Sequence, residues 1–130
     1  MEERSIMGKK VLFVDDTKYM RKIASMALTG AGYEALLAGD GNEGLAVLAE
    51  EYREIKLVMT DWNMPGMDGY DFLVNIKKNP LYKHIPVVML TSESEKSFIN
   101  KALEAGAGDY IIKPFSSPDE MLDKVNKLII

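Results

Sequence analysis

The chain has 130 residues, enough for one domain with a proper core, of which 47% are apolar and 28% charged. Its formal net charge is −4 with acidic and basic residues interspersed, so no long basic run is available for non-specific nucleic-acid binding. It has no cysteine and one histidine, which excludes disulfides, thiol catalysis, zinc–thiolate sites and multi-His metal centres.

The first ten residues are polar and charged and lack the apolar centre of a signal peptide, and no apolar stretch is long enough for a membrane span. A cytoplasmic protein that engages no membrane is therefore expected. Val11–Val14 reads as a strand and ends in Asp15-Asp16. Met20, Ile23, Ala24, Ala27 and Leu28 then recur at helical spacing, with Gly30 and Gly32 closing the helix. Residues 33–38 read as a second strand. Asp40 and Glu43 have the spacing of a capping box, and Leu45, Leu48, Ala49 and Tyr52 form the predicted buried stripe of the helix that follows. Leu57–Thr60 is a third strand ending in Asp61, followed by a loop rich in Pro and Gly from Asn63 to Gly69, and by Phe72, Leu73 and Ile76 as a helix face. Pro86 opens a fourth strand that stops at Thr91. Phe98, Ile99, Ala102 and Leu103 are the expected inner face of a fourth helix. Tyr110–Ile112 is a fifth strand ending in Lys113. Ser117-Pro118-Asp119-Glu120 then opens a last helix, whose apolar face is Met121, Leu122, Val125, Leu128 and Ile129.

Five strands and five helices alternate strictly, the pattern of repeated βα units. Right-handed crossovers favour a doubly wound, three-layer α/β sandwich on a parallel sheet. The carboxyl ends of parallel strands share one edge, where such sheets bind ligands. Asp15, Asp16, Asp61, Thr91 and Lys113 all sit at such ends. Singly, each has an ordinary reading: a helix cap, a loop acid, a good strand former, a solvated lysine. Together they imply a charged crevice. Two like charges about 4 Å apart at an effective dielectric near 20 repel by about 4 kcal/mol, so the acids need neutralising. A hard divalent cation such as Mg²⁺, with oxygen ligands, suits them. Pro114 restrains the backbone beside Lys113 and helps to aim the ammonium inward. His84, in a polar approach to the fourth strand, reads as a surface residue, and the nine methionines as core filler.

The stretch Met59-Thr60-Asp61-Trp62-Asn63-Met64-Pro65-Gly66-Met67-Asp68-Gly69 resembles the phosphorylation loop of response-regulator receiver domains. Val14-Asp15-Asp16, Leu90-Thr91-Ser92-Glu93 and Tyr110-Ile111-Ile112-Lys113-Pro114-Phe115 match that family's other motifs in order and spacing. The resemblance covers residues 9–130, as one receiver domain behind a flexible tail of residues 1–8. It implies a flavodoxin-like five-stranded sheet of order 2-1-3-4-5. By the same resemblance Asp61 accepts the phosphoryl group; Asp15, Asp16, Asp61 and the backbone carbonyl of Asn63 serve the Mg²⁺ site; and Lys113 and Thr91 contact the phosphoryl oxygens. Thr91 and Tyr110 would form the switch. Asn63 and Glu93, lying beside the site, are expected to tune dephosphorylation. Ile99, Tyr110, Lys124 and Lys127 would mark an output face on helix four, strand five and helix five.

The resemblance is strongest to the chemotaxis regulators of the family. It implies a monomeric signalling phosphoacceptor, not an enzyme with an external substrate. Its partners would be a histidine kinase, a separate output protein such as the flagellar motor switch, and a phosphatase. A stand-alone relay or phosphate-sink receiver is the nearest alternative. A haloacid-dehalogenase-type phosphatase is further off, because that family wants Asp-x-Asp where this chain has adjacent acids, and a cap domain. A flavodoxin-like electron carrier fits less well still, since Asp15-Asp16-Thr17-Lys18 would repel a phosphate without a metal.

Overall fold

The computed structural model describes residues 9–92, 96–113 and 117–129. The expected tail at residues 1–8, Glu93 and Pro114 lie outside the described residues. The element order is β1 Lys10–Val14, α1 Lys18–Gly30, β2 Glu34–Ala38, α2 Gly41–Glu51, β3 Ile55–Asp61, α3 Gly69–Lys78, β4 Val87–Thr91, α4 Lys96–Glu104, β5 Asp109–Ile112 and α5 Pro118–Ile129. The strands form one parallel sheet in the order β2-β1-β3-β4-β5, as expected for the doubly wound fold.

The central strands are apolar throughout because both faces of the sheet are covered. Alternation along β1 sends Val11 and Phe13 to one face and Leu12 and Val14 to the other. The first face packs with Ala24 and Leu28 of α1 and Met121 and Val125 of α5. The second packs with Leu48 of α2, Phe72, Leu73 and Ile76 of α3, and Ala102 of α4. The chain moves outward from β1 to β2, then returns past β1 to β3. The topological switch therefore falls between β1 and β3, where a ligand crevice is expected.

Several local details differ from the sequence reading. On α2, Ala49 is exposed, and the buried face is Gly41, Gly44 and Leu48. The reason is close approach: a Cβ on Gly44 would lie 2.7 Å from the ring tip of the buried Phe72. The α2 cap forms as expected on one side, the Asp40 carboxylate accepting from Glu43 N–H at 2.8 Å. Its reciprocal bond is displaced by one residue, so that Gly39 N–H, not Asp40 N–H, donates to the Glu43 carboxylate at 2.8 Å. On α4, Phe98 and Leu103 are exposed, and Ala102 is the buried contact. Met59, Met64, Met89 and Met121 are core residues, but Met26 is two-thirds exposed on α1. His84 is on the surface, as expected.

Candidate phosphoacceptor site

The switch point brings Asp15 and Asp16, which follow β1, against Asp61, the last residue of β3. One carboxylate oxygen from each lies within 4.8 Å of the others. Asp15 and Asp61 are buried and Asp16 is exposed. Lys113, just past β5, reaches back over the sheet edge, its Nζ lying 3.1 Å from Asp61 Oδ2 and 3.4 Å from Asp15 Oδ2. Its own N–H donates to the Thr91 carbonyl at 2.7 Å, which fixes the chain entering the side chain. Thr91 closes β4 and is buried and bonded.

Local hydrogen bonds hold the acids in place. The other oxygen of Asp15 accepts from Thr17 N–H at 2.8 Å, an Asx-type turn leading into α1. That turn takes the place of the helix cap considered from sequence: Thr17 is the N-cap residue, and its side chain makes no cap bond. The Arg21 guanidinium donates to the Asp15 backbone carbonyl at 2.7 Å, tying the acidic turn to the second turn of α1. Beyond Asp61, Trp62 N–H donates to the Leu90 carbonyl, and Gly69 N–H to the Trp62 carbonyl at 2.7 Å. The loop between is thereby folded back on the strand end. The Asp68 carboxylate accepts from Asp71 N–H at 2.8 Å and caps α3.

Three carboxylates face one ammonium, so two negative charges among these groups are uncompensated. Burial, together with the charge of Asp15, raises the Asp61 pKa above its ordinary value, against the opposing pull of Lys113. Lys113 is pulled down by burial, but Asp61 and Asp15 more than offset this and its pKa is raised. The folded chain therefore takes up a proton at Asp61 more readily than the unfolded chain. This contribution to stability is complete below the unfolded value of 3.8 and is lost as pH rises through the higher folded value. In metal-free buffer, urea midpoints of wild type relative to Asp61→Asn should fall as pH rises through that window. A constant difference would contradict the account.

The donor set is all oxygen, partly buried, and carries excess negative charge on three converging side chains, which fits a hard divalent cation such as Mg²⁺. Asp15, Asp16 and Asp61 would hold it. Asn63 is exposed and lines two hollows: an open one with Asp16, Met64, Pro65, Gly66 and Asp68, and a narrower one with Trp62, Thr91 and Phe98. Of the expected output residues, Lys124 pairs with Asp109 at 3.0 Å and lies 5.4 Å from the Tyr110 ring centroid, while Ile99 is half-buried and Lys127 exposed.

Sequence reasoning missed an aromatic group at the rim. The ring of Trp62 stacks on Tyr70 at 5.8 Å and meets Phe98 edge-on at 5.6 Å; Lys101 Nζ lies 4.3 Å from the Tyr70 centroid. The position of Trp62 next to Asp61 was the one signal available. Its partners come from α3 and α4 and share no sequence pattern with it.

Residues 11–126 match the response regulator receiver domain, and the chain belongs to that family. It is 41% identical over 119 residues to the chemotaxis protein CheY-3 of Vibrio cholerae, covering 89% of this chain and 90% of that protein. It is 34% identical over 120 residues to CheY1 of Helicobacter pylori, with 92% and 96% covered. Among solved structures, the CheX–CheY–BeF3–Mg²⁺ complex of Borrelia burgdorferi superposes with a TM-score of 0.90 at 27% identity, covering 100% of this chain and 99% of that one. Among the described residues, no helix is long and apolar enough to cross a membrane.

Proposed function

We propose that this receiver domain takes a phosphoryl group from a phosphohistidine onto Asp61 and passes the signal to a separate protein, in chemotaxis or flagellar motor control. The observation that carries the reading is the Lys113 ammonium, 3.1 Å from Asp61 and 3.4 Å from Asp15, set against three converging carboxylates. An Asp61 oxygen attacks phosphorus, the bond from phosphorus to the donor nitrogen breaks, and the electron pair leaves with that nitrogen, which takes a proton. Phosphoryl transfer depends chiefly on positioning and charge neutralisation. Bound Mg²⁺ would supply charge neutralisation at the transferring oxygens. Lys113 supplies a fixed positive charge, and Thr91 a short, rigid hydroxyl on the same edge.

The acyl phosphate is later lost to water, which restores Asp61, so the protein catalyses only its own phosphorylation and dephosphorylation. A near-complete switch between two conformations requires about 5.5 kcal/mol of differential interaction. Charge-assisted bonds from Lys113 to the phosphoryl oxygens, with the Thr91 bond, supply part of it. The expected readout face is α4, β5 and α5, with Ile99, Tyr110, Lys124 and Lys127. The chemotaxis relatives favour motor control over a relay or sink role, and the Borrelia complex supports a CheX-like protein as a partner.

Phosphoramidate shares the phosphorus–nitrogen bond of phosphohistidine and tests the donor class. With Mg²⁺ it should yield one acid-labile phosphoryl group per chain and a change in Trp62 fluorescence, both abolished by chelation. No phosphoprotein from phosphoramidate, or formation undiminished by chelation, would overturn the reading. Capture of a motor-switch protein by the phosphorylated form alone would support the motor role. Onward transfer to a histidine phosphotransfer domain would replace it with the relay role.

A further inference from the structure

We infer that Phe98 is a positioning residue for the phosphorylated state: it walls off the flank of the site from water and so lengthens the life of the acyl phosphate. The inference rests on the phosphoacceptor reading of Asp61 and adds a determinant outside the charged cluster. The narrower hollow at the site is about 40 Å³, lined by Trp62, Asn63, Thr91 and Phe98. Two of these belong to the phosphoryl site, Thr91 at the end of β4 and Asn63 two residues beyond Asp61. The other two are aromatic, Trp62 next to Asp61 and Phe98 from α4, in edge-to-face contact at 5.6 Å and 68°. A hollow of that size admits water, so the residues that line it bear on water reaching this side of the site.

Phe98 sits in the first turn of α4 with about a third of its surface exposed, and it lines the hollow together with Thr91. Trp62 also stacks on Tyr70, which in turn meets Lys101. Among the described residues the indole thus has two aromatic partners, and of these Phe98 lines the hollow. Hydrolysis needs a water whose oxygen bonds to phosphorus as the bond from phosphorus to the Asp61 oxygen breaks. The electron pair returns to the carboxylate, and the water proton leaves to phosphate or solvent. An apolar wall beside that centre lowers the local supply of water and slows the step, without touching the acids or Lys113.

The test is the decay of phosphoprotein in Mg²⁺ after phosphoramidate is removed by desalting, in wild type, Phe98→Ala, Phe98→Leu and Tyr70→Leu. Phe98→Ala should speed the decay by about threefold or more, equivalent to about 0.7 kcal/mol off the barrier. Phe98→Leu, which keeps apolar bulk over the hollow, should decay close to the wild-type rate. Tyr70→Leu removes a partner of Trp62 that does not itself line the hollow while Phe98 stays in place, and should accelerate the decay clearly less than Phe98→Ala. The Mg²⁺ midpoint from Trp62 fluorescence should be the same in wild type and both Phe98 variants. An unchanged decay in Phe98→Ala, or equal acceleration in Tyr70→Leu, overturns the inference while leaving Asp61 as acceptor. A wild-type chain that forms no phosphoprotein would instead remove the reading beneath it.

Discussion

Asp61→Asn is expected to abolish acid-labile phosphorylation and, in metal-free buffer, to make the protein more stable. The two effects have one origin. Asp61 is 5% exposed and sits within carboxylate range of Asp15 and Asp16, with one ammonium between them. The amide keeps the shape of the side chain and removes both the nucleophilic oxygen charge and one repelling neighbour. Lys113 keeps Asp15 as a partner at 3.4 Å. A buried polar group left imperfectly compensated costs about 1–3 kcal/mol, and a charged one more, so a gain of at least about 1 kcal/mol should appear in the urea midpoint. Mg²⁺ should shrink the gain, because the wild type then recovers stability by binding the ion. Phosphorylation that persists in Asp61→Asn would remove the acceptor assignment. A loss of stability without metal would show that the acids are better compensated than the geometry indicates.

Gly69→Ala is expected to cost about 3 kcal/mol or more of folding free energy, near the top of the range for inserting atoms into a packed site. An added Cβ would lie 2.0 Å from the Asp61 carbonyl oxygen and 2.9 Å from the Trp62 Cα. Both neighbours are backbone, and neither can move alone. Asp61 is paired in the sheet through Leu90, and Trp62 N–H is bonded to the Leu90 carbonyl. The Gly69 N–H bond to the Trp62 carbonyl closes the loop at that point. Relief of the clash must therefore open the loop that carries Asn63, or shift the end of β3. The urea midpoint should fall steeply, and Mg²⁺ affinity measured by Trp62 fluorescence should fall with it. A variant with wild-type stability and metal affinity would contradict this account of the loop.

Much of this was legible in the chain because the central strands are buried on both faces and read as uninterrupted apolar runs. The residue after each run then had to lie at one sheet edge, which placed Asp15, Asp61 and Lys113 before any contact was known. The strand order came from the family resemblance, since periodicity carries no information about which strands are neighbours. Two helix faces were misjudged for identifiable reasons. On α2, the inner face is built on Gly41 and Gly44, which carry no apolar side chain to mark it; Phe72 fills the space instead. On α4, Phe98 has the spacing of a core residue but spends its ring on Trp62 at the rim. The bond from Arg21 to the Asp15 carbonyl was invisible for another reason: a backbone acceptor leaves no trace in side-chain pattern.

The most direct measurement is the location of the phosphoryl group. After incubation with Mg²⁺ and phosphoramidate, borohydride reduction of the acyl phosphate followed by peptide mass spectrometry marks the modified carboxyl. The account predicts a single mark, on Asp61. A mark on the exposed Asp16, or a stable phosphate ester on Thr91, would contradict it.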